Sequence, residues 1–259
     1  MRRGVFVTAT DTGVGKTVAS AALMHAFRSA GVRRVSDPRR VSTAKSIGDL
    51  ANKSEERGSD RVSGSDTRLT PRYLTPRYWK PVQTGIEQDD DTAEVARLGA
   101  CSEHEILDRG VRLERPLSPH LSARLAGRMI CVADIVAAAG AEINDGTWVV
   151  EGAGGVLVPL NNTELMIDLM CRLALPVAVV ARTALGTINH TLLTIEALRA
   201  RSLQVAGVIL CGTPNADNRD AIATYGGVRV LGEMPLFDPL TPEALGAWAR
   251  AHLRVEDTL

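Results

Sequence analysis

The residues with the clearest chemical potential lie in the stretch 10–17, Thr-Asp-Thr-Gly-Val-Gly-Lys-Thr. An apolar segment that predicts a strand precedes this loop, and a segment with helical periodicity follows it. Backbone N–H groups of such a loop, with the positive end of the helix dipole behind them, bind phosphate oxygens. The Lys16 ammonium would reach the β- and γ-phosphates, and the Thr17 hydroxyl would hold Mg²⁺. The usual pattern has a glycine where this chain has Thr10, so the loop alone does not match the full motif. The predicted strand before it and the predicted helix after it supply the additional support for a nucleotide site.

A second reactive group is Lys80, which lies near the end of the apolar segment Tyr78–Val82 and directly before Pro81. Phosphoryl transfer needs cations around the transferred group, because its oxygens carry spread negative charge in the transition state. Lys80 and Lys16 together would supply two positive charges. The common alternative is a solvated surface lysine, but a strand end on the ligand side favours the catalytic interpretation.

Two acidic residues follow the same logic. Asp91 begins a predicted helix, and Glu151 ends an apolar predicted strand. Mg²⁺ uses few carboxylates besides phosphate oxygens, so both residues are candidate ligands. A helix N-terminus and a simple turn are the structural alternatives. Glycines after Glu151 let the backbone approach the phosphates closely, so the candidate nucleotide contacts extend to Gly152, Ala153 and Gly154.

The elements that must position these groups alternate along the chain. Apolar runs predict buried strands at Gly4–Thr8, Tyr78–Val82, Thr147–Val150, Pro176–Ala181, Val205–Leu210 and Val228–Leu231. Helical periodicity predicts helices at Lys16–Ala30, Asp91–Leu98, Val132–Ile143, Glu164–Leu173, Ile188–Ala200 and Pro242–Leu253. Strands separated by helices predict an α/β fold with a doubly wound, mostly parallel sheet and helices on both faces. Ligands then bind at the carboxyl ends of the strands, where the 10–17 loop falls.

The chain has 259 residues, 45% of them hydrophobic, and a formal net charge of zero. These values predict one α/β domain over residues 1–259 and give no indication of nucleic acid or a membrane surface as a partner. The four cysteines lie far apart and predict neither a zinc site nor a redox dithiol. The first strand begins almost at the N-terminus, and no apolar run reaches membrane-spanning length, so we expect a cytoplasmic protein without a signal peptide.

One segment, residues 33–77, does not follow this alternation. It is rich in Arg, Ser, Asp and Lys and poor in large apolar residues. Such a composition buries too little apolar surface to offset the entropy of ordering. A basic arm for nucleic acid is the alternative, but interspersed acidic residues dilute its charge. We therefore predict a disordered surface insertion.

The order of the three motifs resembles that of the ATP-dependent dethiobiotin synthetase family. The resemblance rests on Thr10–Thr17, Lys80–Gly85 and Glu151–Gly155, with further matches at 118–120, 186–190 and 231–235. It covers nearly the whole chain apart from residues 33–77. It implies a P-loop NTPase-like fold, a homodimer, and synthesis of dethiobiotin from 7,8-diaminononanoate, CO₂ and ATP, with ADP and phosphate as the other products.

The resemblance also implies roles for individual residues. Lys80 and Lys16 would be catalytic, and Thr17, Asp91 and Glu151 would hold Mg²⁺. The phosphates would be wrapped by Gly13, Val14, Gly15, Lys16, Thr17 and Val18. The base would lie near Cys211, Gly212, Pro235, Leu236 and Phe237, and the diamine would contact Thr12, Thr84 and Asn189.

Two positions depart from the family pattern, and two other classes share part of it. Ala9 stands where the family commonly has glycine, and Cys211 stands where many members carry an asparagine for adenine; a thiol cannot offer the paired donor and acceptor of an amide.

A partition-type ATPase switch shares the Gly-Val-Gly-Lys-Thr core but carries an additional lysine early in the loop, which this chain lacks. A cobyrinate-type amide synthase requires an attached glutaminase domain, for which we expect no space after the last predicted strand.

Overall fold

The computed structural model describes residues 2–36 and 75–255, with the side chains of 32–36 excepted. Within these ranges the strands are β1 (Arg3–Ala9), β2 (Pro76–Trp79), β3 (Val82–Thr84), β4 (Ile106–Leu107), β5 (Val111–Leu113), β6 (Thr147–Gly155), β7 (Val177–Arg182), β8 (Val205–Cys211) and β9 (Val230–Met234). The helices are α1 (Lys16–Ser36), α2 (Asp91–Leu98), α3 (Pro119–Leu125), α4 (Val132–Ala139), α5 (Met166–Leu173), α6 (Thr187–Ala200), α7 (Ala216–Gly226) and α8 (Pro242–His252).

Seven of the strands form one parallel sheet in the order β4-β2-β6-β1-β7-β8-β9. One apolar cluster packs α1, α2 and α8 against one face, and a second packs α3 to α7 against the other. The predicted doubly wound α/β fold is therefore confirmed. Strands β3 and β5 form a separate parallel pair beside the main sheet.

The central strands explain the position of the functional loops. β6 pairs with β1 on one side and with β2 on the other, so it is covered on both edges and both faces. A strand in that environment has a continuous apolar sequence, as Trp148, Val149 and Val150 show. Because all three strands are parallel, the loops that follow them leave the sheet at the same edge.

Several predicted bounds are wrong, and each has a local cause. The strand predicted over Tyr78–Val82 divides into β2 and β3, because Pro81 has no N–H to donate to a ladder. The helix predicted over Val132–Ile143 ends at Ala139, where Gly140 adopts a φ of 59°. The last strand lies over Val230–Met234 rather than Val228–Leu231. Helices α3 and α7 and the β3–β5 pair have no counterpart in the sequence predictions.

The limits predicted for the insertion, residues 33–77, are wrong at both ends. Helix α1 continues to Ser36, and β2 begins at Pro76, so both ends of the predicted segment belong to regular elements. Residues 37–74 lie outside the described part of the chain, so the prediction of a disordered insertion stays a prediction. In the part of the chain that is described, no helix is long and apolar enough to cross a bilayer.

Candidate nucleotide and catalytic site

The three sequence motifs meet around one cavity of about 750 Å³ at the carboxyl edge of the main sheet. Its walls come from the loop after β1, the first residues of α1 and α2, the segment from Lys80 through β3 to Asp89, the second half of β6, and residues 116–119 around the start of α3. The lining residues are Thr12, Gly13, Gly15, Lys16, Thr17, Val18, Lys80, Gln83, Thr84, Gly85, Asp89, Asp91, Pro116, Leu117, Ser118, Pro119, Glu151, Ala153, Gly154 and Val158.

The loop between β1 and α1 has the backbone conformation that a phosphate cradle requires. Gly13 and Gly15 have φ angles of 68° and 103°, a region that favours glycine. The first N–H groups of α1 have no acceptor within the helix and remain available to an anion. Arg182, at the end of β7, holds the loop from outside, since its Nη2 donates to the carbonyls of Thr12 and Gly13 at 3.2 and 3.4 Å.

Lys80 lies directly after β2, next to Glu151 of β6. Its Nζ lies 2.7 Å from Asp91 Oδ2, 2.7 Å from Glu151 Oε1 and 3.2 Å from the Gly152 carbonyl. An ammonium has three N–H donors, so all of them are used. Burial opposes the charged form, but Glu151 and Asp91 offset it, and the pKa of Lys80 is raised.

Lys16 lies in the same site but in a different electrostatic environment. Burial, and next the charge of Lys80, lower the pKa of its ammonium, although Glu151 and Asp91 act in the opposite direction. A phosphate group near Lys16 would relieve the repulsion between the two lysines. The site therefore favours an anionic ligand on the Lys16 side of the cavity.

Two carboxylates and one hydroxyl form a compact set of oxygen donors beside the cradle. Thr17 Oγ1 lies 2.7 Å from Asp91 Oδ1 and 3.3 Å from Glu151 Oε1. Hard oxygen donors in this number suit Mg²⁺, which is commonly bound by one or two carboxylates together with substrate phosphates. No group of three or more His, Cys, Asp or Glu side chains suited to a metal occurs in residues 2–36 and 75–255. The donor set fits Mg²⁺ in the presence of a nucleotide better than a metal held by protein alone.

A buried tyrosine supplies a further hydrogen bond to the Glu151 carboxylate. The Tyr78 hydroxyl lies 3.1 Å from Glu151 Oε2, and both side chains are fully buried. Burial, and next the charge of Glu151, raise the pKa of Tyr78 well above its ordinary value. The phenol is therefore neutral and donates to the carboxylate. No sequence motif marked Tyr78 as a functional residue.

The distribution of lysine supports a chemical role for Lys16 and Lys80. The chain has only four lysines, at positions 16, 45, 53 and 80, whereas the other basic residues are arginines. Positions 45 and 53 lie outside the described residues. The two lysines inside them are both buried and both line the cavity. Lysine is therefore absent from the described surface and present where a compact point charge is useful.

Several predicted residues lie away from the cavity lining. Asn189 is exposed on the first turn of α6, and Leu236 is exposed after β9. Cys211 packs near Gly15, and burial raises the pKa of its thiol to about 12. None of the five residues predicted near the base lines this cavity: Cys211, Gly212, Pro235, Leu236 and Phe237. The Gly212 N–H donates to the Met234 carbonyl at 2.9 Å. That hydrogen bond joins the two loops predicted to border the base.

Some residues that line the cavity were not predicted to belong to the site. Gln83, Asp89 and Val158 line the cavity, as do the four residues 116–119. A signal existed for part of this set, because Ser118-Pro119-His120 is one of the stretches that carry the family resemblance. Gln83 follows Lys80 by three residues, but its place in the cavity wall depends on the pairing of β3 with β5, which the sequence did not predict.

The fold and the cavity define a P-loop NTPase-like protein of the α/β class. Residues 3–57 and 72–244 match a family model described as an AAA domain. An ATP-dependent dethiobiotin synthetase BioD from Agrobacterium fabrum is 38% identical over 253 residues, covering 98% of this chain and 95% of the relative. The BioD protein of Brucella ovis is 38% identical over 257 residues, covering 99% and 97%. The chain belongs to the ATP-dependent dethiobiotin synthetase family.

A solved structure supports the same fold. A ParA family ATPase from Chlorobium tepidum TLS superposes with a TM-score of 0.51 at 8% sequence identity, covering 96% of this chain and 98% of the ATPase. At that identity the likeness extends to the fold alone.

Proposed function

We propose that this protein is an ATP-dependent dethiobiotin synthetase, a ligase of biotin biosynthesis that joins 7,8-diaminononanoate and CO₂ with the hydrolysis of ATP to ADP and phosphate. Family membership supports the proposal, since this chain aligns with almost the full length of relatives that have that name. The observation that carries it is the position of Lys80. Its ammonium lies between two carboxylates beside the phosphate cradle, where an anionic phosphoryl acceptor and a γ-phosphate would meet.

The nucleotide phosphates bind to the N–H groups of residues 13–17 and to the Lys16 ammonium. Val18, Ala153 and Gly154 line the same space. Mg²⁺, held by Thr17, Asp91 and Glu151, would neutralise the phosphate oxygens and orient them for transfer. The base extends toward Cys211, Gly212, Pro235, Leu236 and Phe237.

The chemistry requires no covalent enzyme nucleophile. One amine of the diamine adds to CO₂, loses a proton and forms a carbamate. A carbamate oxygen then attacks the γ-phosphorus, and the bond from that phosphorus to the bridging oxygen breaks as ADP leaves. The second amine attacks the carbamate carbon and loses a proton, so that a C–N bond closes the ureido ring, and the C–O bond to the phosphate group breaks as phosphate departs. The site therefore acts by orientation and electrostatic stabilisation.

Lys80 has to exchange a partner to take part in this chemistry. All three of its donors are bound to Asp91, Glu151 and the Gly152 carbonyl. Contact with a carbamate or γ-phosphate oxygen therefore replaces at least one of these bonds. The carboxylates that would hold the cation are the ones that Lys80 occupies, so nucleotide and cation binding would release the ammonium toward the substrate.

The diamine occupies the part of the cavity near Thr12 and Thr84, and we propose that a second copy of the chain completes this site. Asn189 and Leu193 lie one turn apart on α6 and are both exposed, as are Leu157 and Leu185 in neighbouring loops. Several exposed leucines in one region favour a protein partner over water. A homodimer would bring Asn189 of one chain toward the cavity of the other. The cytoplasmic location stays a prediction from the sequence.

Product formation tests the proposed function directly. Purified protein is incubated with 7,8-diaminononanoate, bicarbonate and MgATP, and dethiobiotin and phosphate are quantified. We expect phosphate release to require both the diamine and bicarbonate, because the phosphoryl acceptor is the carbamate. The Lys16→Ala variant serves as the control without nucleotide-dependent turnover. Substantial ATP hydrolysis that ignores the diamine would contradict the synthetase and favour an ATPase switch.

A further inference from the structure

Tyr78 lies in β2 and Lys80 directly follows that strand, and both side chains contact Glu151 of β6. Register fixes what lies beside them. Tyr78 pairs with Val149 and Trp79 with Val150 in β6, so Lys80 follows on next to Glu151. The tyrosine hydroxyl thereby comes within 3.1 Å of Glu151 Oε2. No part of the reaction described above uses this contact.

The contact satisfies one oxygen of a carboxylate that water cannot reach. Glu151 has no exposed surface. Its Oε1 accepts from Lys80 at 2.7 Å and lies 3.3 Å from the Thr17 hydroxyl, which is closer to Asp91 Oδ1 at 2.7 Å. The other oxygen, Oε2, is left to Tyr78. A buried carboxylate oxygen without a donor is costly, and the carboxylate would turn or shift to find one. Each of its two oxygens therefore has a defined set of donors.

We propose that Tyr78 is a positioning residue for Glu151, whose hydroxyl fixes the carboxylate so that Oε1 faces Thr17, Lys80 and the site of the divalent cation. The inference rests on the proposed function for its effect on turnover. Its effect on cation binding is independent of the diamine chemistry. A tyrosine suits this position because the neutral phenol supplies a single donor, whereas a second lysine would add charge to a site that already holds Lys16 and Lys80.

The decisive variant is Tyr78→Phe, which keeps the ring and removes only the hydroxyl. The Mg²⁺ concentration needed for half-maximal ADP binding is measured by calorimetry without diamine. We expect it to rise about tenfold, in line with the loss of one hydrogen bond to a charged group. We also expect kcat to fall while the KM for the diamine changes little. Unchanged Mg²⁺ dependence in a folded Tyr78→Phe protein would overturn the proposal.

Trp79→Phe is the matched control on the opposite face of the same strand. The Trp79 Nε1 donates to the Arg109 carbonyl at 2.6 Å, away from the cavity. We expect this variant to lower thermal stability and to leave the Mg²⁺ dependence of ADP binding at the wild-type value. An equal rise in both variants would show a general loss of strand packing and would overturn the assignment.

A double-mutant cycle separates positioning from a purely structural role. If Tyr78 acts through Glu151, adding Tyr78→Phe to a Glu151→Gln background changes Mg²⁺ dependence less than about twofold. An undiminished tenfold effect in that background would overturn the proposal. Because ADP binding requires no diamine, failure of dethiobiotin synthesis alone leaves this result interpretable, so the two failures are distinguishable.

Discussion

At the scale of single residues, Lys16 and Lys80 have the same chemistry and opposite pKa shifts. Lys16 is buried next to another cation, and the pKa of its ammonium is lowered. Lys80 is buried between two carboxylates, and the pKa of its ammonium is raised. Among residues 2–36 and 75–255, Lys16 forms no ion pair, whereas Lys80 forms two, with Asp91 and Glu151. This difference predicts different consequences when each charge is removed.

We expect Lys80→Met to reduce kcat by about 10²–10³, the typical effect of removing a preorganised charge at a developing anion. We also expect Mg²⁺ to bind the ADP complex at least as tightly as in the wild type, because the ammonium no longer competes for Asp91 and Glu151. Initial rates and calorimetric Mg²⁺ titrations measure the two effects.

Lys16→Met is the control for the loss of a buried lysine in the same cavity. We expect it to weaken ADP binding itself, since no other side-chain cation of the loop reaches the phosphates. Near-normal turnover in Lys80→Met, or Mg²⁺ binding weakened as much as in the Lys16 variant, would contradict the assigned roles.

At the scale of elements, the packing of α1, α2 and α8 contains a buried titratable group. The His25 ring on α1 lies 2.9 Å from the Leu98 carbonyl at the end of α2, and it closely approaches Gly246 of α8. Burial lowers the pKa of His25, and the charges of Arg28 and Arg250 lower it further; the Leu98 carbonyl and Glu105 act in the opposite direction. Protonation of this ring therefore opposes the association of the three helices.

The sign of the resulting pH dependence follows from linkage. The pKa of His25 is lower in the folded protein than the ordinary value of 6.5, so the unfolded chain binds more protons below that pH. The contribution of His25 to stability is fully present above pH 6.5 and is lost as the pH falls toward the lower folded value. We expect His25→Gln, which keeps an N–H for the Leu98 carbonyl, to lose less Tm than the wild type between pH 7 and pH 5.

Calorimetric unfolding at the two pH values measures this difference. His104→Gln, at an exposed histidine, is the control and should retain the wild-type loss of Tm. An identical loss in the wild type and in His25→Gln would show that other groups carry the acid sensitivity.

At the scale of the whole molecule, the segment between α1 and β2 is attached far from the chemistry. The C-terminus of α1 and the N-terminus of β2 lie at the edge of the sheet opposite the carboxyl ends of the strands. The family model also leaves 58–71 unmatched. We expect replacement of residues 40–72 by a Gly-Ser linker of about 12 residues to leave kcat within about twofold, because closing a longer loop costs little additional entropy.

Two matched variants control this deletion. One removes only 58–71, and the other keeps the full length with the order of residues 40–72 shuffled. We expect both to express as active protein. Loss of activity in the shuffled variant would show that this sequence contributes contacts of its own.

The proposed homodimer predicts complementation between defective chains. Lys80→Ala and Asn189→Trp, each inactive alone, are mixed under conditions of subunit exchange. In a heterodimer one shared site collects both defects and the other is intact. Random association gives about half heterodimers, so about a quarter of the wild-type activity should return. Exchange without recovery would mean that each site lies within one chain.

Much of this protein is determined by local sequence. The loop 10–17, the lysine before Pro81 and the acidic residue that follows an apolar run were each identifiable, because their chemistry depends on residue type and near neighbours. The strand predicted to end at Val150 continues through Glu151 to Gly155. The parallel sheet followed from the alternation of elements. The same locality explains the errors, since Pro81 divides a strand between two sheets and α7 has too little apolar periodicity to be predicted.

Only the tertiary structure decided which groups touch. Lys80, Asp91 and Glu151 are up to 71 residues apart along the chain, yet the register of β2 with β6 and the position of α2 bring them within hydrogen-bonding distance. Register also gives Tyr78 its partner. The sequence sets the chemical types of the site residues. The competition of Lys80 and a cation for the same carboxylates depends on the distances from Lys80 to Asp91 and Glu151, which strand pairing and helix packing set.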